Sequence, residues 1–302
     1  MRRFWLGVVA TTFLSACGGG NPWLDPGEDG GGGTVPTIPE ELLGDLDSFT
    51  YDPVTQTLIV TGISLDNTPI AAVYTRNAAL DVPGYEAYTT QDSSLERHAT
   101  AYVQERDGVR GAIIVTGGQF GQYLGGSAYS RTGAFTPPAV NSAGGLVTYA
   151  GDYVGLLNVA GDGGDLLLVA PGTPNDVRPS QAAEVTGSVL INADFADNIV
   201  NGVVYDRIIV DAPGTDISDQ NIELVPTAIL ADGTFVGDAN QGQTNVGSYG
   251  GVFGGTGASA VAGTLFAQGH INGLTNVEEY GLFVLSQCGT ANADPICNQP
   301  VP

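Results

Sequence analysis

Leu14-Ser15-Ala16-Cys17 is the first stretch in which residue types and spacing define a chemistry. Small side chains at Ser15 and Ala16 let an extended backbone enter a peptidase groove. Cys17 then supplies the thiol that takes a diacylglycerol. The tetrapeptide reads as a lipobox, with cleavage before Cys17. An ordinary signal peptide with an incidental cysteine is the competing reading. The position of Cys17 and the Gly18-Gly19-Gly20 that follows favour the lipid.

Two further cysteines, Cys288 and Cys297, form an even pair in what would be an oxidising compartment. A disulfide there closes a short loop and stabilises by roughly 2–3 kcal/mol on the chain-entropy view. Zinc is the rival reading, but two thiols with no nearby histidine are a poor ligand set. The two histidines, His98 and His270, read as ordinary surface or turn residues. No Gly-x-Ser-x-Gly elbow or His-Glu-x-x-His helix occurs, and the carboxylates are scattered. No catalytic residue, metal or cofactor is therefore nominated, and the chain is not expected to be an enzyme. Gly161-Asp162-Gly163-Gly164-Asp165 hints at a calcium loop. It lacks the full ligand series, so a solvated turn is the better reading. Gly255-Thr256-Gly257-Ala258-Ser259-Ala260 approximates a dinucleotide fingerprint, but a strand pattern follows where a helix is required.

These residues need elements to carry them. Arg2 and Arg3 precede an apolar run, Phe4–Leu14, of signal-peptide length and too short to span a bilayer. Gly18 follows the lipid cysteine where aspartate would favour inner-membrane retention, so outer-membrane delivery is expected. Residues 18 to about 44 are rich in glycine and acids and are expected to form a flexible tether. The net charge is −23, and loss of Arg2 and Arg3 takes it to −25; all nine basic residues are arginine. Such a chain repels nucleic acid and anionic headgroups, leaving the acyl chains as the membrane link.

From Asp47 onward the apolar pattern has period two. Expected strands in the first half include Thr57–Gly62, Ile70–Thr75, Arg97–Gln104 and Gly111–Thr116. Gly117-Gly118 and Gly125-Gly126 read as punctuation. Pro137-Pro138 marks a boundary, because proline removes a ladder donor. The second half holds eight candidates: Leu146–Asn158, Glu184–Phe195, Ile199–Val210, Ile222–Leu230, Phe235–Gly237, Ser248–Phe253, Val261–Gln268 and Glu279–Ser286. A sandwich or closed barrel follows from that spacing. The expected organisation is a signal peptide over 1–16 and the tether over 17–44. A β-rich segment over 45–138 and a barrel over 139–302 follow.

The segment Ser248–Phe266 reads as strand, glycine turn, strand. Gly250, Gly251 and Gly263 leave room for large neighbours and for the bends of a small barrel, while Phe253 and Phe266 can fill its interior. Gly250-Gly251-Val252-Phe253-Gly254, then Ala258, then Ala262-Gly263-Thr264-Leu265-Phe266, resembles the eight-stranded barrel of transferrin-binding protein B and related surface lipoproteins. Val185–Phe195 followed by Ile199–Val203 is similar to that family's hairpin, and Tyr149–Tyr153 to its first barrel strand. The resemblance covers about residues 145–287. It implies an all-β fold, with a C-terminal antiparallel eight-stranded barrel preceded by a smaller β-rich segment. It also implies an outer-membrane, surface-exposed lipoprotein that binds a protein or nutrient ligand, with an outer-membrane receptor as a further partner. The family's namesake has two lobes, and no transferrin-contacting loop is identifiable here. A structural or protective envelope lipoprotein without a dedicated ligand is the alternative.

Overall fold

The computed structural model describes residues 36–63, 70–140, 145–211 and 216–299. Cys17 and residues 17–35 of the expected tether lie outside them. Among the described residues fifteen strands form two sheets, antiparallel throughout. The first seven are β1 (Leu46–Asp52), β2 (Thr57–Gly62), β3 (Ile70–Arg76), β4 (Glu86–Thr90), β5 (Ala99–Arg106), β6 (Val109–Thr116) and β7 (Gly125–Arg131). They make one meandering sheet. It curls until its ends meet: the Asp45 N–H donates to the Gly125 carbonyl at 2.8 Å, and the Gly125 N–H to Asp45 Oδ2 at 3.0 Å.

The remaining eight are β8 (Leu146–Ala160), β9 (Ala182–Asp194), β10 (Ile199–Ile209), β11 (Ile222–Ala228), β12 (Thr234–Gln241), β13 (Thr244–Gly254), β14 (Ala260–Gln268) and β15 (Glu278–Ser286). They close into a barrel as β15 pairs with β8. Eight strands enclose a space just wide enough for side chains to fill. Here Tyr149, Tyr153, Phe235, Tyr249, Phe253 and Phe283 fill it, all fully buried. Phe253 sits at the centre, with ring centroids 5.0 Å from Phe195 and 5.1 Å from Phe235. The all-β class is as the patterning predicts, and the eight-stranded barrel is as the family resemblance implies.

Three expectations need correction. Gly125-Gly126 does not punctuate; it opens β7. A Cβ on Gly125 would lie 2.7 Å from the Tyr280 ring, and one on Gly126 would lie 2.2 Å from the Leu43 carbonyl. These glycines permit close approach inside a strand, which from sequence looks like a turn. The tether ends early. Glu40–Leu43 forms a helical turn, α1, whose Leu42 is fully buried between sheet and barrel, with its carbonyl accepting from Ser127 Oγ at 2.6 Å. The histidines are not at the surface: His98 and His270 are each 1% exposed. Each has a carboxylate partner: Asp165, 67 residues away, for His98, and the buried Glu279, nine residues away, for His270.

The sheet packs one face against the outer wall of the barrel. Tyr102, Ile113, Val115 and Tyr129 meet Val252, Ala262, Phe266, Leu282 and Val284 there. Polar groups lock the seam. Tyr85 Oη donates to the Asp152 carbonyl at 2.7 Å and accepts from the Val284 N–H at 3.2 Å. Arg131 at the end of β7 donates to the carbonyls of Asp232 and Phe253, each at 2.8 Å.

Candidate functional site

Chemistry-bearing side chains meet first inside the barrel. β10 carries an extra residue against β9: Tyr205 pairs with Ser188, but Ile208 pairs with Thr186. The extra residue is at Asp206, whose φ is 51°. Such a bulge shifts the inward-facing set by one. Val200 and Val204 point inward as alternation demands; beyond the bulge Arg207 points inward in place of Asp206. The fully buried Arg207 guanidinium pairs with Glu279 of β15 and donates to the Gln220 carbonyl at 3.0 Å. Tyr153 Oη donates to Glu279 Oε1 at 2.6 Å.

His270 Nε2 lies 2.8 Å from Glu279 Oε2 and 2.9 Å from Arg207 Nη2. Arginine only donates and a carboxylate only accepts, so one ring nitrogen cannot serve both at once. Burial alone would raise the Glu279 carboxyl. The Arg207 guanidinium, helped by His270 and Tyr153, instead holds it at about 2. Burial, with the neighbouring carboxylate, drives the Tyr153 phenol well above its ordinary value. This network is an internal brace, with both members of its ion pair fully buried.

A second convergence lies at one end of the molecule, where three loops are tied together. Residues 91–98 and 117–124 come from the sheet, and residues 161–181 join β8 to β9. Arg97 donates to the Gln122 carbonyl at 2.6 Å and to the Gln119 carbonyl at 3.2 Å. Gln119 Nε2 donates to the carbonyls of Leu95 at 2.8 Å and Val177 at 3.1 Å. Ser180 and Gly118 exchange bonds, and the Leu167 N–H donates to Gln91 Oε1 at 2.8 Å. Asp165 accepts from Asn77 Nδ2 at 2.7 Å and sits 2.8 Å from His98 Nε2. The Gly161–Asp165 turn is solvated as expected, with Asp162 and Gly164 exposed, and through Asp165 it also clasps the loop to the sheet.

On this polar frame the apolar side chains point outward. Phe120 is 66% exposed and Leu168 96%, with Leu95 and Leu167 also exposed. Phe120 has φ 54°, uncommon for a residue with a side chain.

The residues singled out from sequence fall elsewhere. Gly251 and Gly263 face the barrel interior; a Cβ on them would lie 2.4 Å from the Phe235 ring and 2.3 Å from the Phe283 ring. Gly250 faces the other way, where a Cβ would lie 2.7 Å from Tyr129 Oη. Phe253 is in the interior, but Phe266 is not: it packs outside, against Tyr280, at 5.1 Å between centroids. Both faces of β14 are buried, so hydrophobicity could not tell its inside from its outside. Cys288 and Cys297 are joined as a disulfide beside the outer cluster of Ala150, Leu190 and Tyr205. Sequence reasoning missed Arg207, Glu279 and Phe120, and gave Tyr153 and Asp165 other roles. A single arginine inside the Ile/Val-rich run of β10 was the one available signal.

No protein-family model matches the chain, and no curated protein matches it. Among solved structures it is similar to a double mutant of the vaccine antigen transferrin binding protein B from Haemophilus parasuis Hp5. That match has 12% identity and a TM-score of 0.40, and covers 80% of this chain and 44% of that one. It is also similar to the isotype 1 transferrin binding protein B of serogroup B Neisseria meningitidis, with 14% identity, a TM-score of 0.35 and coverage of 81% and 52%. A structure described as a surface lipoprotein gives 17% identity, a TM-score of 0.34 and coverage of 82% and 99%. The chain spans about half the length of the transferrin binding proteins it matches. At these identities and TM-scores the likeness assigns no ligand.

Proposed function

We propose that the protein is an exported lipoprotein, acylated at Cys17, held at the outer membrane and exposed on the cell surface. There it captures a protein ligand with the loop cluster of residues 91–98, 117–124 and 161–181. The observation that carries the reading is the frame itself. Exposed apolar residues scattered singly need no explanation. Here Leu95, Phe120, Leu167 and Leu168 stand on three loops whose backbones are fixed to one another. A rigid apolar surface avoids the ordering cost that a floppy loop incurs on binding. The filled barrel interior leaves the outside of the molecule to do the recognition. The lipobox, the glycine-rich segment after it and the family resemblance of the barrel strands support export and anchoring.

The test is paired capture from the fluid that bathes the cells, with wild type and a Phe120→Ser/Leu168→Ser variant. A ligand retained by wild type and lost by the variant, at unchanged melting temperature, is the expected result. A ligand held equally by both would move binding away from this cluster. Absence of any specific ligand would favour the structural or protective role.

A further inference from the structure

Glu184 stands on β9 with its side chain on the outside of the barrel, under the sheet, and is 6% exposed. Its Oε1 has no hydrogen-bond partner. The groups facing it come from several elements. From β5 comes the Tyr102 hydroxyl, which donates its proton to the Leu80 carbonyl at 2.9 Å. From just after β10 comes Asp211. Its Oδ1 accepts the Glu184 N–H at 2.9 Å, and its Oδ2 is buried without a partner. From residues 161–181 come the charge of Asp162 and the side chain of Gln181. Asp81, near Tyr102, is itself paired with Arg76.

A phenol has one proton to give, and that of Tyr102 goes to Leu80. Its oxygen can then accept but not donate. A carboxylate would need donors here, whereas a carboxylic acid brings one. With no donor facing its Oε1, Glu184 is better accommodated as the neutral acid than as a carboxylate. The acid would also avoid a second bare charge beside Asp211. Among the described residues no group of three acidic, histidine or cysteine side chains is arranged to hold a metal.

We propose that Glu184, in its protonated form, is a pH-sensitive latch that holds the sheet and residues 161–181 on the barrel and lets go as the medium turns alkaline. Burial is the main cause that pushes its carboxyl up to about 7. Asp211 and Asp162 add to the rise, and Gln181 opposes it. Burial raises Asp211 as well. An acid raised in the folded state contributes stability that is complete below its unfolded value and is lost as pH rises through the folded one. The fall therefore belongs between about pH 4.5 and just above pH 7.

Thermal unfolding of the full chain, followed by circular dichroism from about pH 5 to about pH 9, tests this. The wild-type midpoint should fall by roughly 5 °C or more across that range. Glu184→Gln, which mimics the neutral acid, should give a flat midpoint. Asp211→Asn should move the wild-type fall to lower pH. A flat wild-type midpoint, or an unchanged slope in Glu184→Gln, would overturn the latch. So would calcium that raises the alkaline midpoint of wild type but not of Glu184→Gln, because the pair would then be a cation site. If Glu184→Gln does not fold, Asp211→Asn decides: a shifted fall supports the latch and an unshifted one overturns it.

Discussion

Gly263 and Arg207 are two residues whose roles depend on the side chains that meet them inside the barrel. A valine at Gly263 would drive carbon into the Phe283 ring and the Gly250 carbonyl. We expect Gly263→Val to cost about 1–3 kcal/mol, the usual range for an overfilled core. An unchanged urea midpoint would show that the ring has room to move. Arg207→Met should cost more, about 3–5 kcal/mol, because it leaves Glu279 charged and unpaired inside the barrel. Arg207→Met with Glu279→Leu should recover most of that loss. Glu279 also sets an acid limit. Its carboxyl is depressed in the folded state, so its contribution is present above about pH 4.5 and is lost as pH falls toward about 2. Acid titrations of wild type and the double variant should diverge in that window. Coincident curves would mean that the brace does not govern acid stability.

Legibility from sequence divides at the level of the element. All eight barrel strands were readable, because hairpins between neighbours keep their pattern local and their turns carry glycine or Asn/Asp signals. β7 was not, because Gly125 and Gly126 serve a packing contact with α1 and Tyr280 that lies far away in sequence. The inner face of β10 was half readable: alternation places Val200 and Val204, and the bulge at Asp206 then reverses the rule. The polar pairs His98–Asp165 and Arg207–Glu279 span 67 and 72 residues, a distance at which periodicity says nothing. The apolar loop tips were invisible for the opposite reason, since an exposed leucine looks like a buried one until the frame is known. The Cys288–Cys297 bridge, legible from parity and spacing, pins the segment after β15 beside Ala150 and Tyr205. Reduction should lower stability by roughly 2–3 kcal/mol. Equal urea midpoints with and without reductant would assign the bridge a role other than global stability.

For the whole molecule, the sheet and the barrel form one body through a shared apolar seam, and the loop cluster lies where the two meet. Its charge of −23 gives it no attraction to an anionic membrane, so the attachment proposed above rests on Cys17. Two acyl chains anchor stably where one is marginal. Cys17→Ser should abolish fatty-acid incorporation and leave the precursor uncut. Continued labelling of that variant would remove the lipobox reading. The most direct test of surface display is antibody binding to intact cells, using serum raised against the folded protein. Cells carrying wild type should bind it without permeabilisation, and cells carrying Cys17→Ser should not. Binding that appears only after the outer membrane is breached would place the protein inside the envelope and contradict capture at the surface.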